Sequence, residues 1–160
     1  MLKNTKKNRI YLDYQATTPI DHGVLEAMLP FFEESYGNPH SHHHAKGWEA
    51  YNAIEESRRS IAELINADTN EIIFTSGATE ANNMAILGLA NKTTNKRKEI
   101  LVSSIEHKCV LNASKSSINS GFTVNVLSVE QSGLVDLKAY KEKLNDGVLL
   151  VSVMMANNEI

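Results

Sequence analysis

The sequence predicts an α/β protein in which helices pack on a mostly parallel sheet, and two observations predict this class. From Glu71 onward, short apolar runs alternate strictly with segments of helical periodicity. The apolar run VLLVSVM, Val148–Met154, shows no polar alternation, which is typical of a strand buried on both faces. Alternating strands and helices of this kind favour a parallel sheet covered by helices.

The first half of the chain is predicted to contain one short strand and two helices. Residues 1–8 are expected to form a flexible tail, followed by a strand over RIYLD, Arg9–Asp13. Apolar residues at helical spacing predict one helix over Gly23–Ser35 and a longer one over Trp48–Asn66. The loop YGNPHSHHHAKG between them is rich in turn-forming residues and histidine.

The second half is predicted to alternate four strands with three helices. The strands are Glu71–Ser76, Glu99–Ser104, Thr123–Val129 and Val148–Met154. The helices are Thr79–Asn91, His107–Asn119 and Asp136–Asn145, the last of them capped by Asp136. No repeat, low-complexity tract or second domain is indicated.

Composition narrows the function classes. The chain has 160 residues, 42% of them apolar, and a net charge of −3, which gives no electrostatic reason to expect nucleic acid or an anionic membrane as a partner. Its single cysteine, Cys109, excludes a disulfide framework and favours a cytoplasmic location. The longest strongly apolar run, Val148–Ala156, is far shorter than the roughly 20 residues of a membrane-spanning helix, and no secretion signal is indicated.

The first candidate site is SGATE, Ser76–Glu80, between a predicted strand and a predicted helix. Backbone N–H groups at a helix N-terminus bind anions, and the Thr79 hydroxyl adds a donor, so the motif suits a phosphate monoester. The alternative is that Thr79 only caps the helix, with Asn82 or Asn83 facing solvent.

Two further candidates follow two other predicted strands. His107 of IEHKCV could stack on a flat cofactor ring or shuttle a proton, although EHK could also be a surface charge cluster. Asn157 and Asn158 of MMANNE could donate to a ring oxygen or a carboxylate, or could form an ordinary turn. Because ligands of open α/β sheets bind at the carboxyl ends of the strands, the three motifs together favour one ligand site.

A histidine cluster competes with this interpretation. Zinc sites usually take their ligands from separated elements, and the chain contains neither CxxC nor HExxH, so the sequence does not favour a metal site. Cys109 is interpreted as a small, buried apolar residue of its helix. The clustered histidines are His40, His42, His43 and His44.

Five motifs carry a resemblance to a known family: YLDYQATTP, GNPHSHHHAKG, EIIFTSGATEANNMAI, SSIEHKCVL and VSVMMANNEI, in this order. They resemble the cysteine desulfurases, which are class V aminotransferase-like, fold-type I enzymes that use pyridoxal 5'-phosphate. The resemblance runs from Ile10 to the last residue. It implies a three-layer fold with helices on both faces of the sheet, in which residues 9–160 are the N-terminal part of the cofactor-binding large domain.

The resemblance also implies roles for individual residues. Ala78 and Thr79 are expected to hold the cofactor phosphate. His107 is expected to stack on the pyridine ring and to help with proton transfers, and Asn158 to contact the ring hydroxyl and the substrate side. The loops around residues 16–18 and 38–44 are expected to shape the active-site entrance and the contact between the subunits of a homodimer.

The family reaction converts L-cysteine to L-alanine and passes the sulfur to an enzyme cysteine, for delivery to an iron–sulfur scaffold protein. The family's cofactor-binding Asp and Lys and its sulfur-accepting Cys come after NNEI, so the resemblance implies a truncated chain that is inactive on its own. Met155 departs from a position where the family often has His. Two alternatives stay open: a selenocysteine lyase-type relative, and a non-catalytic interaction module that keeps the dimer surface.

Overall fold

A computed structural model describes residues 10–92, 94 and 96–160. The chain divides into two compact units, Met1–Ile73 and Phe74–Ile160, called here the first and the second unit. The predicted flexible tail, residues 1–8, lies outside the described residues. The assignment of residues 9–160 to one large domain stays a prediction.

The first unit contains two α-helices, as predicted. Helix α1 spans His22–Glu33 and begins at Asp21, whose Oδ1 accepts hydrogen bonds from two first-turn amides at 2.9 and 3.2 Å. Helix α2 spans Ala45–Ile65 and ends at Asn66. Asn66 has φ 54° and ψ 48°, the left-handed conformation that asparagine adopts readily at helix C-termini. Local cap residues therefore set these boundaries.

Two predicted strands are wrong. Ile10–Asp13, the described part of the first, forms no strand, and the side chain of Ile10 is 84% exposed. The second, Glu71–Ser76, begins at the last residue of a 3-10 helix, Thr69–Glu71, and its Ile73 is 63% exposed. An apolar run supplies the pattern of a strand, but a strand also needs a neighbour for its ladder hydrogen bonds. Neither segment pairs with a described strand.

The second unit confirms the remaining alternation of strands and helices. The strands are β1 (Glu99–Ser103), β2 (Thr123–Leu127) and β3 (Val148–Ser152). The helices are α3 (Ala78–Lys92), α4 (Lys108–Ser117) and α5 (Leu137–Lys143), and a 3-10 turn, Ile118–Ser120, extends α4. None of the helices within the described ranges is both long and apolar enough to cross a membrane.

The sheet is parallel, with the order β2-β1-β3. Strand β1 lies at its centre, and Ile100–Ser103 have almost no solvent exposure. Strand β3 pairs with β1 through a register irregularity between Glu99 and Ile100. VLLVSVM was predicted to be buried on both faces, but residues 149–152 are only partly buried, and β3 is an edge strand of the described sheet.

Helices cover both faces of this sheet, so the predicted three-layer arrangement is confirmed. Ile100 and Val102 of β1 pack in one apolar cluster with residues of α3 and α4. Leu101 faces the other way and packs in a second cluster with Leu127, against which Tyr140 of α5 is placed. Side chains alternate across a strand, which is why neighbouring residues of β1 serve opposite layers. The carboxyl end of β1 leads directly into the turn before α4.

Candidate functional site

The start of α3 provides donors for an anion. Gly77 has φ 155°, a conformation that L-residues rarely adopt, and its carbonyl accepts the helical bond from Ala81 N at 3.1 Å. Ala78 and Thr79 therefore lie in the first turn, where amides have no acceptor within the helix and the helix dipole is positive. The Thr79 side chain is exposed, so its hydroxyl can add a donor.

A carboxylate already interacts with this helix start. Oε2 of Glu80 accepts hydrogen bonds from Ser76 N at 2.6 Å and from Ser76 Oγ at 2.7 Å. The backbone bond, and then the hydroxyl bond, hold the pKa of Glu80 below its ordinary value. A bound phosphate would share the turn with this negative charge, and the donors available to it are the Ala78 and Thr79 amides and the Thr79 hydroxyl.

His107 forms the N-cap of α4. Its Nδ1 accepts a hydrogen bond from Cys109 N at 3.2 Å, and the residue is exposed. Glu106 beside it is only 8% exposed, and its Oε1 has no hydrogen-bond partner among the described residues. The interpretation of EHK as a surface charge cluster is therefore wrong for Glu106. Sequence reasoning assigned Glu106 no role, because a glutamate beside His and Lys is typical of a solvated turn.

A hydrogen-bonded thiol connects the starts of the two helices. Asn82 Nδ2 of α3 donates to Cys109 Sγ of α4 at 3.2 Å, and the same sulfur lies 3.0 Å from His107 Nδ1. Cys109 is buried, as predicted, but it also has these polar contacts. Asn82 faces the thiol instead of solvent, and Asn83 Nδ2 donates to Thr79 O at 2.7 Å. The alternative in which these asparagines face only solvent is therefore wrong for Asn82.

The segment after β3 contacts the turn after β1. Asn157 Nδ2 donates to Ile105 O at 2.9 Å, two residues before His107. Asn157 Oδ1 accepts from Glu159 N at 2.7 Å, which folds the segment into a turn. Asn158 is exposed in this turn, so its expected contact with a cofactor stays a prediction. Hydrogen bonds thus link all three predicted motifs, through neighbours of the four predicted residues.

A cavity of about 420 Å³ opens at the same end of β1 and β3, and sequence reasoning missed it. The four predicted site residues do not line it. The antiparallel bridge Val129–Val135 and Gly133, with φ 85°, shape one wall. The turn-forming pair Ser132 and Gly133 was the sequence signal that could have indicated this cavity wall. The other lining residues include Ser103, Ile105, Glu130, Leu134, Met154 and Asn157.

The histidine-rich loop has structural roles. His44 is the N-cap of α2, with Nδ1 accepting from Gly47 N at 3.2 Å. The His42 carbonyl accepts from Trp48 Nε1 at 2.9 Å. In the described part of the chain, no three His, Cys, Asp or Glu side chains are grouped so that they could hold a metal ion.

Comparisons with known proteins match most of the chain. The family "Aminotransferase class-V" matches residues 10–160. A cysteine desulfurase IscS from Rickettsia massiliae (strain Mtu5) is 54% identical over 151 residues, which are 94% of this chain and 37% of that protein. A solved structure named as a NifS-like protein superposes with a TM-score of 0.88 at 38% identity, covering 94% of this chain and 41% of its own.

A structure described as SspA in complex with cysteine superposes with a TM-score of 0.86 at 41% identity, covering 95% of this chain and 44% of its own. The chain spans well under half the length of these relatives. The resemblance seen in the motifs is confirmed. Because the family match covers almost the whole sequence, the chain belongs to the class-V aminotransferase family.

Proposed function

We propose that this chain forms the phosphate- and ring-binding part of the pyridoxal 5'-phosphate site of a cysteine desulfurase. The reaction would convert L-cysteine to L-alanine and transfer the sulfur to an enzyme cysteine, for iron–sulfur cluster assembly. One observation carries the proposal: the helix starts that hold Thr79 and His107 are joined by the Asn82–Cys109 hydrogen bond. Relatives named cysteine desulfurase, and a neighbour described with bound cysteine, support the substrate.

The residues present fit the cofactor. The first-turn amides of Ala78 and Thr79 and the Thr79 hydroxyl suit a phosphate monoester at the positive end of α3. The Glu80 carboxylate is hydrogen-bonded to Ser76, which holds it in place beside those donors. When bound, pyridoxal 5'-phosphate supplies an electron sink for carbanion chemistry at the substrate. His107 offers an exposed imidazole for ring contact and proton transfer, and Asn158 an exposed amide.

The thiol of this chain does not suit the role of sulfur acceptor. Cys109 is the single cysteine of the 160 residues, it is 9% exposed, and its sulfur is hydrogen-bonded to Asn82 and His107. A sulfur-accepting cysteine has to reach the substrate as an accessible thiolate. We therefore propose that these 160 residues alone do not complete the reaction.

A second copy of the chain is the proposed partner within the enzyme. The first unit exposes large apolar side chains along α1 and α2, including Phe32, Trp48 and Leu64. Exposed apolar surface of this kind supports a homodimer interface. The proposed site of action is the cytoplasm, since a single buried thiol suits a reducing compartment. An iron–sulfur scaffold protein is the proposed recipient of the sulfur.

Calorimetric titration with pyridoxine 5'-phosphate tests the phosphate assignment. This analogue has no aldehyde, so surface lysines cannot bind it covalently. Thr79→Ala should weaken binding about 10- to 150-fold, because a hydrogen bond to a charged group contributes about 1.5–3 kcal/mol. Ser116→Ala is the matched control, since it removes an exposed hydroxyl whose hydrogen bond among the described residues is to the Asn112 carbonyl of its own helix.

Two results would contradict the assignment. One is unchanged affinity in Thr79→Ala together with weaker binding in His43→Ala, which would place the anion at the histidine-rich loop. The other is no binding of the analogue by the unmodified chain at millimolar concentration, which would favour a non-catalytic interaction module. Thr79→Ser should recover most of the lost affinity, since it restores the hydroxyl.

A further inference from the structure

We propose that Asn82 and Cys109 are positioning residues that hold the neutral ring of His107 in the tautomer with its proton on Nε2. The relevance of this inference to catalysis rests on the proposed function, in which His107 serves the cofactor site. The tautomer itself is a property of the second unit and can be measured without any cofactor.

The backbone at the start of α4 fixes Nδ1 of His107 as a hydrogen-bond acceptor. Cys109 N lies 3.2 Å from His107 Nδ1 and donates to it as the capping bond of the helix. A backbone N–H group can only donate, so Nδ1 has to accept. A neutral imidazole carries one proton, which is therefore on Nε2.

The thiol of Cys109 adds a second donor to the same nitrogen. Asn82 Nδ2 donates to Sγ at 3.2 Å, so the sulfur accepts on that side. The single thiol proton is then available for His107 Nδ1, which lies 3.0 Å from the sulfur. Because Cys109 is buried, water competes little for this proton. The hydrogen bond from Asn82 thus favours the thiol as a donor towards His107 Nδ1.

These contacts oppose the other tautomer. A proton on Nδ1 would point at the Cys109 amide, and that capping hydrogen bond would be lost. The contact with Sγ would then require the sulfur to accept from Nδ1 as well as from Asn82. His107 is exposed, so Nε2–H is the group that it presents outside the cap. In the proposed enzyme, neutral His107 therefore starts as a proton donor at Nε2, and it cannot act as a base at that atom until it has given the proton away.

Long-range proton–nitrogen NMR of the ¹⁵N-labelled chain measures the tautomer directly. At about pH 7.5, above the ordinary imidazole pKa of about 6.5 and below the ordinary thiol pKa of about 8.5, His107 should show a protonated Nε2 and a bare Nδ1. Cys109→Ala keeps the backbone amide and removes the thiol, and should lower the ratio of the Nε2–H to the Nδ1–H form about two- to fivefold, since a thiol is a weak donor. Cys109→Ser should restore the ratio.

His44 is an internal control in the same spectra. Its Nδ1 also accepts a backbone amide at 3.2 Å, from Gly47, but the described contacts give it no thiol donor. Its tautomer ratio should be the same in the Cys109 variants and in the unmodified chain. His107→Gln assigns the His107 signals, and the amide spectrum of each variant shows whether it is folded.

Asn82→Ala is the second test, and it leaves Cys109 in place if Cys109→Ala does not fold. It should lower the ratio in the same direction, because the thiol is then free to turn away from Nδ1. A His107 ring with its proton on Nδ1 would overturn the proposal, as would an unchanged ratio in both Cys109→Ala and Asn82→Ala. Failure of pyridoxine 5'-phosphate to bind would count against the proposed function and leave the tautomer result intact.

Discussion

Gly47 provides a sharp test of the structure around the histidine-rich loop. A Cβ atom at this position would lie 1.9 Å from the Ser41 carbonyl oxygen and 2.8 Å from its carbonyl carbon. Both are backbone atoms, so the conflict cannot be relieved by turning a side chain. In Gly47→Ala, the loop before α2 has to move by about 1.5 Å to reach ordinary van der Waals distance.

The free-energy terms have opposite signs, and their sizes decide the outcome. Overpacking costs about 1–3 kcal/mol, and displacing the loop also weakens the His44 cap, whose loss costs about 0.5–2 kcal/mol. Replacing glycine by alanine in a helix gains at most about 1 kcal/mol. We expect Gly47→Ala to lower the free energy of unfolding of the first unit by about 1–3 kcal/mol.

Urea unfolding followed by tryptophan fluorescence measures this effect. Trp48 is the single tryptophan of the chain, it adjoins Gly47, and its indole N–H donates to the His42 carbonyl. With a urea m-value of about 1–3 kcal/mol/M, the midpoint should fall by about 1 M.

Gly88→Ala is the matched control for this substitution. Gly88 lies inside α3, and a Cβ there meets no atom within 4 Å. This variant should gain up to about 1 kcal/mol, seen as a higher urea midpoint by circular dichroism. Equal or greater stability of Gly47→Ala would refute the close approach of Ser41, since both variants make the same chemical change.

Two further predictions concern the second unit. Ser76→Ala removes one of the two bonds to Glu80, so the pKa of Glu80 should rise towards its ordinary value; an NMR titration that shows no change would contradict this hydrogen bond. Because the folded pKa is lowered, the stabilisation by Glu80 is present above the pKa of the unfolded state and is lost as the pH falls through the folded value. Cys109 should react with an aromatic disulfide reagent far more slowly in the native chain than in urea, and Asn82→Ala should speed the native reaction. Equal native and unfolded rates would show that the thiol is accessible.

Local signals made most of the second unit predictable. The N-cap of α5 is one example: Asp136 Oδ1 accepts from Lys138 N at 2.9 Å and from Ala139 N at 3.1 Å, as an aspartate before a helical pattern predicts. The prediction of a strand over Glu71–Ser76 was wrong because pairing depends on a neighbouring strand, which a local pattern does not reveal. Strand order was equally hidden, so the sequence did not show that β1 would be central.

The sequence predicted the site at the carboxyl ends of the strands, but it did not predict the contacts within the site. Parallel topology places the two motifs that follow β1 and β3 at one end of the sheet, whereas SGATE follows a predicted strand that does not form. The Asn82–Cys109 hydrogen bond joins residues 27 positions apart, and it depends on how α3 packs against α4. That packing is set by apolar side chains such as Ile86 and Val110, whose partners periodicity alone cannot name.

The two capping histidines show why residue type alone does not identify a functional group. His44 and His107 both precede a helix, and both accept a backbone amide on Nδ1 at 3.2 Å. Asparagine, serine or aspartate is the usual choice for this task, so a histidine at an N-cap invites a second explanation. For His107 the structure contains one, because a buried thiol that accepts a hydrogen bond from Asn82 lies against the same ring nitrogen. For His44 the described contacts are those of a cap, which agrees with a structural role for the histidine-rich loop.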